Sequence, residues 1–207
     1  MVAGWSRLLE ILRQTSFRSE REPVFRLASG RMSNFYVDCK QALSDPEARA
    51  LIGKLIFEHI KNQSFDTVGG LELGAYPIAT SISDELYRRT KKKIRAFVIR
   101  KEAKKHGVGN LIAGSVHAGN TTLIVDDVIT TGKSTIEAIN RAREAGLIVK
   151  HVVILVDREE DNGKQNIEEQ GVSCASLFSL SDLIGANSDA TADTRSYSAG
   201  TAQAKFA

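Results

Sequence analysis

Apolar positions along this chain follow two periods that trade places. Over 45–61 and again over 76–89 they return every three to four residues, which places one stripe of side chains on one face of a helix. The runs over 94–99, 121–127 and 149–157 are short and largely apolar, as in strands covered on both faces, and 66–70 reads as a further strand between two helices. Helical spacing over 5–12 and 131–145, and two short strands within 25–39 around the turn Ser29-Gly30, complete the pattern. Ser44-Asp45-Pro46 supplies a start for the 45–61 helix, because an acidic cap and a proline suit the first turn, and Gly146 supplies a stop for the 131–145 helix. Strands alternating with helices at this spacing predict an α/β fold, a central and mainly parallel sheet flanked by helices. Ligands of such sheets sit outside the carboxyl ends of the strands.

A chain of 207 residues is long enough for one core with a small appendage. We expect an N-terminal helix and hood over 1–40, a core over 41–186, and a disordered tail over 187–207, where the composition falls to Ser, Ala, Thr, Asp and Gly. Two cysteines, Cys39 and Cys174, make no disulfide framework and fit a reduced, cytoplasmic chain. No apolar stretch approaches a membrane span, and Arg7 and Glu10 interrupt what would be a signal-peptide core. The net charge of +3 is too small to argue for a nucleic-acid partner, although lysines and arginines crowd into 88–105.

The chemistry concentrates between Leu123 and Thr135, which read Leu-Ile-Val-Asp-Asp-Val-Ile-Thr-Thr-Gly-Lys-Ser-Thr. An apolar run delivers the adjacent acids Asp126 and Asp127; Val128 and Ile129 follow, and a small turn of Thr130, Thr131, Gly132, Lys133 and Ser134 opens a helix. Paired carboxylates suit sugar hydroxyls, while the amides and hydroxyls of a strand-to-helix turn suit a phosphate. A phosphorylated sugar satisfies both. Gly132-Lys133-Ser134 is also the tail of a nucleotide-triphosphate P-loop, but that motif needs a glycine where this chain has Asp127. An ordinary capping turn is the plainer alternative, and it leaves two adjacent acids to be desolvated without a ligand. The segment resembles the phosphoribosyl pyrophosphate signature of the type I phosphoribosyltransferases.

Other segments narrow the resemblance to the orotate phosphoribosyltransferases. Gly69 to Pro77 places glycines between a strand and a helix, where amides can form an anion nest. By itself it is as well an ordinary turn, but its order relative to the acids is similar to the family's pyrophosphate loop, which assigns Glu72, Leu73 and Gly74 to substrate. Arg100, Lys101, Lys104, His106 and Gly107 match the family's mobile loop pattern, in a run that otherwise reads as a solvated basic loop. That resemblance implies closure over the diphosphate, partly across a dimer interface, with Lys104 and His106 nearest the leaving group. The stretch 25–38, with Phe35 and Tyr36, looks like the family's hood; a plain hairpin packing these aromatics into a core explains them equally. Arg158, just past a strand, stands where the family pairs an arginine with the orotate carboxylate, a task its planar fork suits.

The resemblance runs over about 25–183 and implies transfer of a phosphoribosyl group to orotate in pyrimidine (UMP) biosynthesis. It implies Mg²⁺ as cofactor, held mainly through substrate and waters with no firm protein ligand, and a homodimer. Lys104, His106, Asp126 and Asp127 are the catalytic candidates. Ala28 and Gly74 depart from the pattern, since many members carry lysines there, which leaves loop cations or metal to carry more of the charge. Two alternatives are a purine-base phosphoribosyltransferase and a non-catalytic sensor of phosphoribosyl pyrophosphate that binds nucleic acid. Arg158 and the basic loop count against the first, and the lack of a separate nucleic-acid module counts against the second.

Overall fold

The largely apolar runs build the sheet, and the periodic segments cover it. In the computed structural model, which describes residues 4–27, 30–102 and 111–185, helix α1 (Trp5–Thr15) leads into strands β1 (Phe17–Ser19), β2 (Phe25–Arg26), β3 (Met32–Ser33) and β4 (Phe35–Val37). Helices α2 (Lys40–Ser44) and α3 (Pro46–Ile60) precede β5 (Thr67–Leu71), α4 (Ala75–Thr90), β6 (Arg95–Ile99) and β7 (Ile112–Ala113). Then come β8 (Thr121–Ile129), α5 (Lys133–Glu144), β9 (Ile148–Asp157), α6 (Gly163–Glu168), β10 (Ser173–Ser179) and α7 (Leu180–Ile184). The six-stranded sheet has the order β10-β9-β8-β5-β6-β7, parallel throughout except where β7 runs antiparallel to β6.

Alternation along β8 divides the core in two. Leu123 and Val125 pack with Ile52, Leu55 and Ile56 of α3 and Ile78 and Ile82 of α4, a layer that also takes in Leu8 and Leu12 of α1. Ile124 faces the other way, into a cluster with Ala138, Ile139 and Ala142 of α5 and Ile167 of α6, which Ile129 joins at the end of the strand. Burial on both faces is what the apolar runs require. The α3 start is as expected: Asp45 accepts from the amides of Glu47 (2.7 Å) and Ala48 (3.3 Å), with Pro46 in the first turn, a cap worth about 1 kcal/mol.

The N-terminal region has more strands than the sequence suggested. β2 and β3 form the expected ribbon, but β4 is a further strand that pairs antiparallel with β1, upstream of the segment read as strands. β10 escaped the sequence pattern because Ser-Cys-Ala-Ser-Leu-Phe-Ser mixes small and polar residues on an edge strand paired to β9 alone. β8 does not stop at the acids: Val128 and Ile129 pair with Val156 and Asp157 of β9, so the strand runs two residues beyond the expected end. Helix α5 correspondingly begins at Lys133 instead of 131, after Gly132 with φ 78°. The tail over 187–207 lies outside the described residues.

Candidate active site

Asp126 and Asp127 point into different surroundings because they are neighbours on a strand. Asp126 is buried, and its Oδ2 accepts from the hydroxyls of Ser134 (2.9 Å) and Thr135 (2.8 Å), while Oδ1 accepts from the Asp127 amide at 3.0 Å. The acid is thus laced to the first turn of α5. Burial, then the charge of Asp127, push the Asp126 carboxyl up to about 7; burial also raises Asp127, with Lys40 opposing it. Gly74, ahead of α4, lies against Asp127, and a Cβ there would stand 2.2 Å from Asp127 Cγ.

The turn that follows β8 needs Gly132. Its positive φ suits glycine, and a side chain would meet the Gly163 carbonyl at 2.8 Å. Asn166 of α6 donates to the Thr131 carbonyl at 3.0 Å, which braces the turn from behind. In front lies a pocket of about 420 Å³ lined by Leu71, Lys101, Val128, Glu137 and the turn residues Thr130, Thr131, Gly132, Lys133 and Ser134. A second pocket of about 200 Å³ adjoins it, lined by Lys40, Leu71, Glu72, Leu73, Gly74, Lys101, Asp126, Asp127, Val128 and Ser134. Leu71, Lys101, Val128 and Ser134 border both. The acids, the turn and the 72–74 loop are therefore brought together as the sequence suggested, and the Glu72–Leu73 peptide between them is cis.

The foot of the basic loop is anchored. The Lys101 amide donates to Glu72 Oε1 at 2.9 Å, the Arg100 amide to the Leu111 carbonyl at 2.8 Å, and Arg141 of α5 donates to the carbonyls of Arg100 and Lys101. Lys104 and His106 lie outside the described residues.

Arg158 is not the surface residue that a strand end usually carries; it is 3% exposed. Its Nη2 donates to the Phe35 carbonyl (3.0 Å) and approaches Ser33 Oγ (3.4 Å), and its Nε lies 3.3 Å from Glu160 Oε2. A second tie between hood and core joins Arg31 to Asp161 at 2.5 Å. Of the hood aromatics, Phe35 is partly buried against the core and stacks on Phe17 (5.9 Å between centroids), whereas Tyr36 is exposed and stacks on Phe25 (5.5 Å). The plain hairpin reading, in which these aromatics pack into a core, thus holds for Phe35 and not for Tyr36. Sequence reasoning missed Lys40. Its only signal was a basic residue between a strand and a helix, with nothing to connect it to acids far along the chain.

The comparisons with known proteins agree with this geometry. Residues 39–190 match the phosphoribosyl transferase domain family. The orotate phosphoribosyltransferase of Aquifex aeolicus is 43% identical over 178 residues, spanning 86% of this chain and 96% of the relative. The chain belongs to the orotate phosphoribosyltransferase family. Among solved members, the Mycobacterium tuberculosis H37Rv enzyme in complex with Fe(III) dicitrate superposes with a TM-score of 0.73 at 37% identity, over 86% of this chain and 98% of that one. The same enzyme in complex with 5-phospho-alpha-D-ribosyl 1-diphosphate gives 0.70 at 33% identity, over 88% and 93%. Two features of this family member stand out within that frame: a glycine against the second acid, and a lysine from the hood-to-core junction lining the same pocket as that acid.

Proposed function

We propose that this chain transfers the 5-phosphoribosyl group of phosphoribosyl pyrophosphate to orotate, giving orotidine 5′-monophosphate and diphosphate. The observation that carries the reading is a strand-borne acid pair whose neighbouring pocket is walled by the Thr130–Ser134 turn, in a chain similar to enzymes of that name over most of its length. The turn and the N-terminus of α5 would take the 5′-phosphate. The ribose would lie at Asp126 and Asp127, and the diphosphate between Leu71, Glu72, Leu73, Gly74 and Lys101. A ring nitrogen of orotate forms a bond to the anomeric carbon as the bond from that carbon to diphosphate breaks, the electron pair leaving with the diphosphate. Positive charge grows on the ribose and negative charge on the leaving group, so catalysis is electrostatic and positional. The carboxylates oppose the first charge; Arg100, Lys101, Lys104 and His106 oppose the second. Arg158, with Phe35 and Tyr36 of the hood, would recognise the base and its carboxylate.

Mg²⁺ fits this donor set only in company with substrate. Both oxygens of Asp126 already accept hydrogen bonds, and among the described residues no group of three or more His, Cys, Asp or Glu side chains could hold a metal. Asp127 is the carboxylate that would be left to meet it, alongside substrate oxygens and waters. When bound, Mg²⁺ would neutralise diphosphate charge. We further place the enzyme in the cytoplasm as a homodimer in which the loop after Lys101 completes the neighbour's site, and with no nucleic-acid or membrane partner. Both cysteines are free and buried, which suits a reducing compartment, and among the described residues no helix is long and apolar enough to cross a membrane.

The pure protein incubated with phosphoribosyl pyrophosphate, Mg²⁺ and a panel of bases should release diphosphate with orotate. Turnover with adenine or hypoxanthine and none with orotate would refute the reading in favour of a purine enzyme.

A further inference from the structure

We propose that Lys40 is a substrate-binding residue that grips the diphosphate of phosphoribosyl pyrophosphate from the hood-to-core junction, an inference that rests on the transfer reaction proposed above. Lys40 opens α2 directly after the fully buried Cys39, so its backbone is fixed while its side chain stays exposed. The side chain lines the 200 Å³ pocket together with Asp126, Asp127 and Gly74.

That pocket has an electrostatic problem. It is walled by three carboxylate residues, Glu72, Asp126 and Asp127, and, with substrate in place, must also hold a diphosphate. Like charges this close oppose one another unless cations are interleaved between them. Among the described residues lining the pocket, Lys40 and Lys101 are the cations, and Gly74 has no side chain to add. Lys101 borders both pockets, whereas Lys40 borders this one alone. Asp127 and Lys40 already act on each other: the acid helps keep the ammonium charged, and the ammonium favours the ionised acid. Lys40 Nζ also sits 2.9 Å from Asp38 Oδ1, but with side chains 63% and 34% exposed this is a solvent-screened pair, weak enough for a diphosphate oxygen to compete for the ammonium. The resulting arrangement places a fixed cation of the chain itself on the diphosphate, independent of any loop contributed by a neighbour.

Titration calorimetry of the full chain with inorganic diphosphate and Mg²⁺, beside steady-state kinetics, tests this on Lys40→Ala and Lys40→Arg. Lys40→Ala should weaken diphosphate binding and raise the KM for phosphoribosyl pyrophosphate about 10- to 100-fold, the loss expected of one charge-assisted contact. The KM for orotate should stay within about twofold, and Lys40→Arg should recover most of the loss. Unchanged diphosphate affinity in Lys40→Ala overturns the proposal, and if kcat alone falls, Lys40 acts by positioning Asp127. A wild-type chain that binds diphosphate through Lys40 but turns over no base would instead refute the transfer reading and leave the Lys40 contact standing.

Discussion

Gly74 and Asp127 are packed so closely that a Cβ on Gly74 would fall 2.2 Å from Asp127 Cγ and 2.3 Å from its Oδ1. The glycine is not there for its backbone, since φ is −62° and ψ −35°. It is there for room. The space that a side chain would fill at this position is taken by the carboxylate, so none could be added without displacing Asp127.

Gly74→Ala therefore acts on the acid more than on the fold. Asp127 must rotate away from the added methyl, and misplacing a catalytic group by about 1 Å can cost roughly 10²-fold in rate. We expect kcat/KM for phosphoribosyl pyrophosphate to fall by about that factor with an unchanged circular dichroism spectrum. Wild-type kinetics in Gly74→Ala would show that Asp127 tolerates the shift.

Burial of Asp126 sets a pH dependence of defined sign. Its folded pKa of about 7 lies above the ordinary carboxyl value of 3.8, so the native state holds a proton that the unfolded chain releases between these limits. The favourable contribution is complete below about pH 4, declines as pH rises, and is gone above about 7. Thermal midpoints of the ligand-free protein should thus fall from pH 5 to pH 8 more steeply than those of Asp126→Asn. Activity, which in the proposed mechanism depends on the ionised pair, should rise over the same interval. Parallel stability profiles for the two proteins would mean that Asp126 is ionised throughout.

Glu160 stands where it would compete with a carboxylate bound to Arg158 as proposed. Its two oxygens lie 3.3 Å from Nε and Nη2 of the guanidinium, and Arg158 is buried, so the pair is poorly screened. A base bearing a carboxylate has to share or displace this contact. Glu160→Gln should lower the KM for orotate roughly threefold or more, without moving that for phosphoribosyl pyrophosphate. A raised orotate KM would reveal Glu160 as a support that orients Arg158.

Sharing of the loop between subunits predicts rescue. Lys104→Ala alone should lower kcat roughly 10²-fold, as for a lost contact to charge that grows in the transition state. Mixing it with Asp127→Asn should regenerate an intact site in each heterodimer. Mixtures as inactive as their parents, with subunit exchange proven by mass spectrometry, would place loop and acids in one chain.

What could be read from sequence was whatever is local. The acids, the turn through Ser134 and the glycines ahead of α4 are each contiguous, so their chemistry survives without knowledge of packing. The end of β8 was misjudged because two acids interrupt its apolar run, although pairing of Val128 and Ile129 with β9 carries the strand on. Lys40 comes to line one pocket with Asp127, Gly74 yields space to that acid, and Arg158 reaches the Phe35 carbonyl only through the tertiary fold. No spacing rule connects such partners. The β1–β4 ribbon was hidden for another reason: strands of three residues are too short to show a period.

Lys101 lines both pockets, and this makes the cleft a target for linked inhibitors. A phosphate-bearing fragment seated on the Thr130–Ser134 turn and a bisphosphonate seated beside Gly74 would then border the same residue. Joined by a short tether past Lys101, the second fragment would bind at an effective concentration in the millimolar range. The gain is greatest for a stiff tether, because flexibility regained on release is what a linked ligand otherwise loses on binding.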